Sequence, residues 1–114
     1  MKEIIEKVKR FRDRRDWEQF HNPKDLAISI SIECGELLEH FQWKNNEKVK
    51  EYIRDIKKKE KIGKEIADIF IYLLLLSDSL DLDLYNLALK KITENEKKYP
   101  VEKAKGTAKK YTDL

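Results

Sequence analysis

Cysteine is nearly missing from this sequence; Cys34 is the only one. A lone cysteine cannot close an internal disulfide, which excludes a stapled secreted scaffold and points to a reducing compartment. Chain breakers are scarce as well, with 3 Gly and 2 Pro in 114 residues. That is too few for a turn-rich β-sandwich or a flexible low-complexity chain. The longest apolar run, Ile69 to Leu76, falls far short of a bilayer span. The opening residues, MKEIIEKVKRF, are charged and helix-patterned, without the apolar region of a signal peptide. The expectation is a cytoplasmic protein with no membrane partner.

What remains is rich in Lys, Glu, Leu and Ile, a composition that favours long helices. We expect an all-α protein of one domain, residues 1–114, with a basic tail over about 101–114. Charged residues make up 41% of the chain, yet the net charge is only +3. The balance is uneven. Lys44 to Lys64 carries nine Lys or Arg and four acids, and the tail from Val101 carries four Lys and two acids. The rest is therefore acidic. Such a body with basic segments suits a polyanion held through metal ions, or a solvated surface laced with ion pairs.

Periodicity predicts five helices. The first spans about Lys2 to Arg15, with Ile4, Val8 and Phe11 on one face. A packed loop follows over Asp16 to His21. Asn22 then caps a second helix at Pro23, which ends near Gln42 to Lys44. A basic stretch, Glu47 to Lys57, reads as a short helix or a connector. The fourth helix starts near Gly63 and runs to Ser79; its apolar character after Asp68 predicts a central position, covered on most sides. The fifth runs from Leu84 to Tyr99 and is stopped by Pro100. So small a core, with so apolar a helix, is expected to need a partner subunit.

Carboxylates carry the chemistry. Glu33, Glu36 and Glu39 recur every third residue on the second helix, and Glu65 and Asp68 do so on the fourth, with Tyr72 one turn on. Carboxylates at a buried seam need a cation or strong hydrogen bonds. Two acidic pairs on two helices suit a hard cation such as Mg²⁺, which takes oxygen ligands and leaves positions for phosphate. Glutamates at this spacing are also ordinary on exposed helices, where they pair with Lys. No Lys or Arg lies between Lys24 and Lys44, which weakens that simpler explanation. A di-iron bundle would need Glu-x-x-His, but Leu37 stands three residues before His40. Cys34, His21 and His40 lack zinc-ligand spacing.

These residues resemble the all-α MazG-like nucleoside triphosphate pyrophosphohydrolases, marked by Glu-x-x-Glu on one helix and Glu-x-x-Asp on a later one. Here those are Glu33–Glu36 and Glu65–Asp68. RDWEQFHNPKDL, ECGELLEHFQWK, EIADIFIYLLLLSD, NEKKYP and KKYTDL follow in order and look like the dCTP pyrophosphatase branch of that family. The resemblance implies a four-helix core of a protomer that assembles as a dimer or as a tetramer of two dimers. It implies hydrolysis between the α- and β-phosphates of a (deoxy)nucleoside triphosphate, for cleaning the nucleotide pool. Mg²⁺ would be the cofactor, with Mn²⁺ as a substitute. By the same resemblance, Glu33, Glu36, Glu65 and Asp68 are catalytic metal ligands. Lys91, Asn95, Lys98 and Tyr99 face phosphate or sugar, Lys109, Lys110 and Tyr111 cover the phosphates, and Trp17, His21, Trp43 and Tyr72 surround the base. Two departures stand out. Ile32 stands where many members carry a second Glu, which the dCTP branch also lacks, and Lys57 to Lys59 replace a more neutral connector.

Simpler readings stand beside these. Trp17 and Trp43 plug the ends of a small core, His21 satisfies a backbone carbonyl, and Tyr72 finds a buried partner. Cys34 and the stripe Ile69, Phe70, Leu73 and Leu74 read as core. One rival to the enzyme is a non-catalytic helical dimerisation module. Another is a nucleic-acid binder using Lys44 to Lys64; acids alternate through that segment, no reading motif is present, and stable nucleic-acid binding is not expected.

Overall fold

The computed structural model describes residues 1–114 and is all-helical. It holds α1 (Lys2–Arg14), a 3₁₀ turn (Glu18–Phe20), α2 (Pro23–Glu39), α3 (Asn46–Arg54), α4 (Ile56–Ser79), α5 (Leu84–Lys98), α6 (Val101–Ala104) and a 3₁₀ turn (Tyr111–Asp113). None of these helices is long and apolar enough to cross a membrane. The chain divides into two compact units, Met1–Asp81 and Leu82–Leu114.

Local chemistry explains where the helices of the first unit begin. Asn22 accepts a hydrogen bond from the Asp25 amide at 2.9 Å, and Pro23 fills the first helical position, where no amide hydrogen is needed. Asn45 accepts likewise from the Lys48 amide at 2.9 Å and starts α3. The largest departure from the periodicity reading lies next. The basic stretch is broken at Asp55, whose carboxylate accepts from the Lys57 and Lys58 amides. Lys57 to Lys59 therefore open α4, which starts seven residues before Gly63. An Asp capping within a run of strong helix formers looks, by periodicity, like an uninterrupted helix.

α4 is the axis of this unit. It packs most extensively against α2, then against α3 and α1. The core comprises Val8, Leu26, Ile62, Leu74 and Leu75, with Leu26 only 1% exposed. Arg12 is buried among them, its Nη1 donating to Asp78 at 3.1 Å and its Nε to Asp13 at 2.8 Å. Lys9 lies 3.4 Å from the other Asp78 oxygen, so α1 is tied to the end of α4 by charge as well as packing. The covering expected of α4 after Asp68 is met in part, with Leu74 and Leu75 buried and most of their neighbours half-buried. Ile69 and Leu73 are half-buried, and Ile66 (54%) and Phe70 stay exposed. Cys34 is half-buried rather than core. Three helices reach only part of the α4 surface.

In the second unit, Asp83 caps α5 by accepting from the Asn86 amide at 3.1 Å. After Pro100 the tail forms a short extra helix, α6, which periodicity did not reveal in four residues. Gly106 follows at φ +80°, a left-handed conformation glycine adopts without strain.

Candidate active site

Capping at Asn22 and Asp55 sets the registers of α2 and α4, and their packing brings the two acidic pairs face to face. Carboxylate oxygens of Glu33, Glu36 and Glu65 all lie within 4.8 Å of one another. Glu33 Oε2 and Glu65 Oε2 are buried without a hydrogen-bond partner. Buried carboxylate oxygens facing other carboxylates are unfavourable unless a proton or a cation sits between them. Burial is the main cause that pushes the Glu33 carboxyl up to about 7; a hydrogen bond and charge from Glu36, then the charges of Asp68 and Glu65, add to it. Glu65 is pushed up by burial and by Glu36, with His40 acting in the opposite sense. An all-oxygen donor set with two orphaned buried atoms fits a hard divalent cation.

Asp68 is outside the tight triad. It is exposed, contributes its charge to both neighbours, and lines an adjoining cleft of about 380 Å³ together with Glu33. Trp17, His21 and Tyr72 line the same cleft. The Trp17 and His21 rings are 6.3 Å apart, and Phe11 meets Trp17 edge to face at 5.7 Å. His21 Nδ1 is buried and has no protein partner. Burial, then Arg12, hold its imidazole below the usual histidine range, so the ring is neutral. A neutral ring with a free polar atom beside an indole can read the edge of a flat heterocycle.

One expected site residue of the first unit is placed elsewhere. Trp43 does not line this cleft. It is 90% exposed, and its backbone sits at φ 65°, a left-handed value that is strained for a bulky residue. It plugs no core end either. In the second unit, Tyr99 and Tyr111 meet edge to face at 6.0 Å, and Lys98 Nζ lies 5.0 Å above the Tyr111 ring. Glu94 pairs with Lys91 at 3.5 Å and with Lys98 at 3.9 Å. Asn95 accepts the Tyr99 amide through its carbonyl, and Lys109 and Lys110 are exposed. Several cleft residues escaped the sequence reading, among them Phe11 as a wall and Arg12 as a buried cation. The signal for Arg12 was its position one turn after Val8, on the face that turns inward.

The sequence model of the MazG-like family matches residues 28–114. The chain belongs to the MazG-like family. The match contains both acidic pairs of this MazG-like chain, whereas Trp17 and His21 precede it and join the site by geometry. Among curated proteins, dCTP pyrophosphatase 1 of Bos taurus is 40% identical over 104 residues, and that of Homo sapiens 36%. These alignments cover 91% of the chain but 62% and 61% of the relatives, so the chain spans about three-fifths of their length. The crystal structure of a pyrophosphatase from Archaeoglobus fulgidus is similar at a TM-score of 0.81 and 42% identity, covering 88% of this chain and 92% of that one.

Proposed function

We propose that this protein is a divalent-metal-dependent nucleoside triphosphate pyrophosphohydrolase. One observation carries the reading: three convergent carboxylates with orphaned buried oxygens adjoin a cleft walled by an indole and a neutral imidazole. The similarity to proteins named dCTP pyrophosphatase 1 and pyrophosphatase supports it. Glu33, Glu36, Glu65 and Asp68 would hold Mg²⁺, or Mn²⁺ in its place. When bound, such a cation neutralises phosphate charge and lowers the pKa of water.

The chain's own residues supply the rest. Trp17 stacks the base, and His21 Nδ1 accepts from or donates to its edge. The Tyr72 hydroxyl, one turn beyond Asp68, orients a carboxylate or the sugar. With a cation bound Glu33 would be ionised as one of its ligands, and the attacking water would give its proton to solvent. Water adds to phosphorus, the bridging P–O bond between the α- and β-phosphates breaks, and monophosphate and pyrophosphate leave. Lys91, Asn95, Lys98, Tyr99, Lys109, Lys110 and Tyr111 are the proposed phosphate and sugar contacts, and the physiological role is removal of unwanted, dCTP-like nucleotides. We further assign the working form to a homodimer or a tetramer of two dimers, supported by the exposed apolar faces of α2 and α4. Trp43, held outward, then belongs to a base site completed by another copy.

The test is direct. Purified protein incubated with each dNTP and Mg²⁺ should release the monophosphate and pyrophosphate. Release of orthophosphate, or no turnover of any triphosphate, overturns the reading.

A further inference from the structure

A polar connection runs from α3 into the acidic cluster and has no place in the reaction above. His40 follows the last residue of α2, and its ring lies between Tyr52 of α3 and Glu65 of α4. Its Nδ1 is 2.7 Å from the Tyr52 hydroxyl, and its Nε2 is 4.0 Å from Glu65 Oε1. The His40 side chain is 14% exposed. The two rings are tilted by 59°, and the Tyr52 ring carries Lys44 Nζ at 4.5 Å and Lys58 Nζ at 4.9 Å. Cations over an aromatic face hold the ring in place, so Tyr52 is braced from α3's two flanks.

The partners decide the tautomer. An ionised carboxylate only accepts, so the nitrogen facing Glu65 keeps its hydrogen. Nδ1 is then the acceptor for the Tyr52 hydroxyl, and the hydroxyl in turn locks that tautomer. The two oxygens of Glu65 are thereby distinguished. Oε1 faces the imidazole N–H, and Oε2 is buried with no protein partner. At 4.0 Å the imidazole approaches Oε1 without yet hydrogen-bonding it; closing that gap would hold Glu65 by one oxygen and present the other in a fixed direction, which is how outer hydrogen bonds raise the metal affinity of a ligand.

We propose that Tyr52 and His40 are positioning residues: Tyr52 sets the His40 tautomer, and His40 steers Glu65 Oε1 so that Oε2 is presented to the divalent cation. This rests on the reading of the acidic cluster as a metal centre.

The experiment measures Mn²⁺ binding to the whole purified chain without nucleotide, by calorimetry and by the electron paramagnetic resonance signal of free Mn²⁺. His40→Leu and Tyr52→Phe should each weaken the Kd, His40→Leu by about tenfold, with unchanged helical circular dichroism. His40→Gln, whose side-chain amide supplies an N–H near the place of Nε2, should recover most of the affinity; a merely space-filling His40 would favour Leu instead. Glu36→Gln serves as the control for the metal centre. If the wild type binds Mn²⁺, Glu36→Gln loses it, and both His40→Leu and Tyr52→Phe bind like wild type, the positioning role is overturned while the metal centre stands. If the wild type binds no Mn²⁺, the metal centre itself is overturned and the positioning role with it. Should His40→Leu fail to fold, Tyr52→Phe decides, an unchanged Kd overturning the proposal.

Discussion

At the scale of single residues, the proposed chemistry rests on carboxylates held closer than their charges favour. Glu33 shows this in its pH dependence. Its folded pKa, about 7, lies above that of a free carboxyl, so the folded state binds the proton more tightly than the unfolded chain. That contribution is fully present at acid pH and is lost as pH rises through about 7. The metal-free protein should therefore melt a few degrees higher near pH 5 than near pH 8, other groups being equal, and added Mg²⁺ should narrow the gap. Differential scanning calorimetry with and without chelator measures both. Glu33→Gln should raise the melting temperature of the metal-free protein at pH 8 and remove most of the Mg²⁺-induced shift; a variant that melts like wild type under both conditions contradicts this account. Glu36→Gln and Asp68→Asn should lower turnover by about a hundredfold or more while leaving the helical spectrum intact. Wild-type rates in both would remove these residues from the site. The acidic pairs were legible in sequence because three-residue spacing means one helix face. The split between a tight triad and a peripheral Asp68 was not, since it depends on the angle at which α2 meets α4.

Helices place those residues, and their ends are set by a few side chains. Asp55 ends α3 and starts α4, accepting from two amides at once. Asp55→Ala should cost about 1 kcal/mol of stability, read as a lower urea midpoint. An unchanged midpoint would mean that water replaces the cap without loss. Arg12 works between elements. It links α1 to Asp78 at the far end of α4 and also lines the cleft. Arg12→Met keeps much of the stem but leaves Asp78 with Lys9 alone, and should cost about 1–3 kcal/mol. The Asn22-Pro23 start was plain from sequence because capping is local chemistry. The Asp55 boundary was hidden, since neighbouring Lys and Glu favour helix on both sides and only the carboxylate's turn toward two amides marks the break.

For the molecule as a whole, the informative feature is how little the chain buries. Five apolar residues form its core, while Ile28 and Ile32 on α2 and Ile66 and Phe70 on α4 remain exposed one helical turn apart in each pair. Stripes of this kind mark contact surfaces. Light scattering should report two or four times the 13.7 kDa chain mass, and Ile32→Lys should shift the population toward the single mass. A 13.7 kDa species at all concentrations would remove the subunit assignment, and with it the role given to Trp43.

The sequence by itself determined the helical class, the capped start of α2 and the shared faces of the acidic pairs, because propensity, capping and face-sharing act over only a few neighbouring residues. The tertiary structure alone decided that Glu33, Glu36 and Glu65 converge, that Arg12 and His21 share the cleft, and that Trp43 stands clear of it. It also revealed His40 between Tyr52 and Glu65, on three different segments. Such juxtapositions arise where helices cross, and crossing angles follow from packing between residues far apart in the chain.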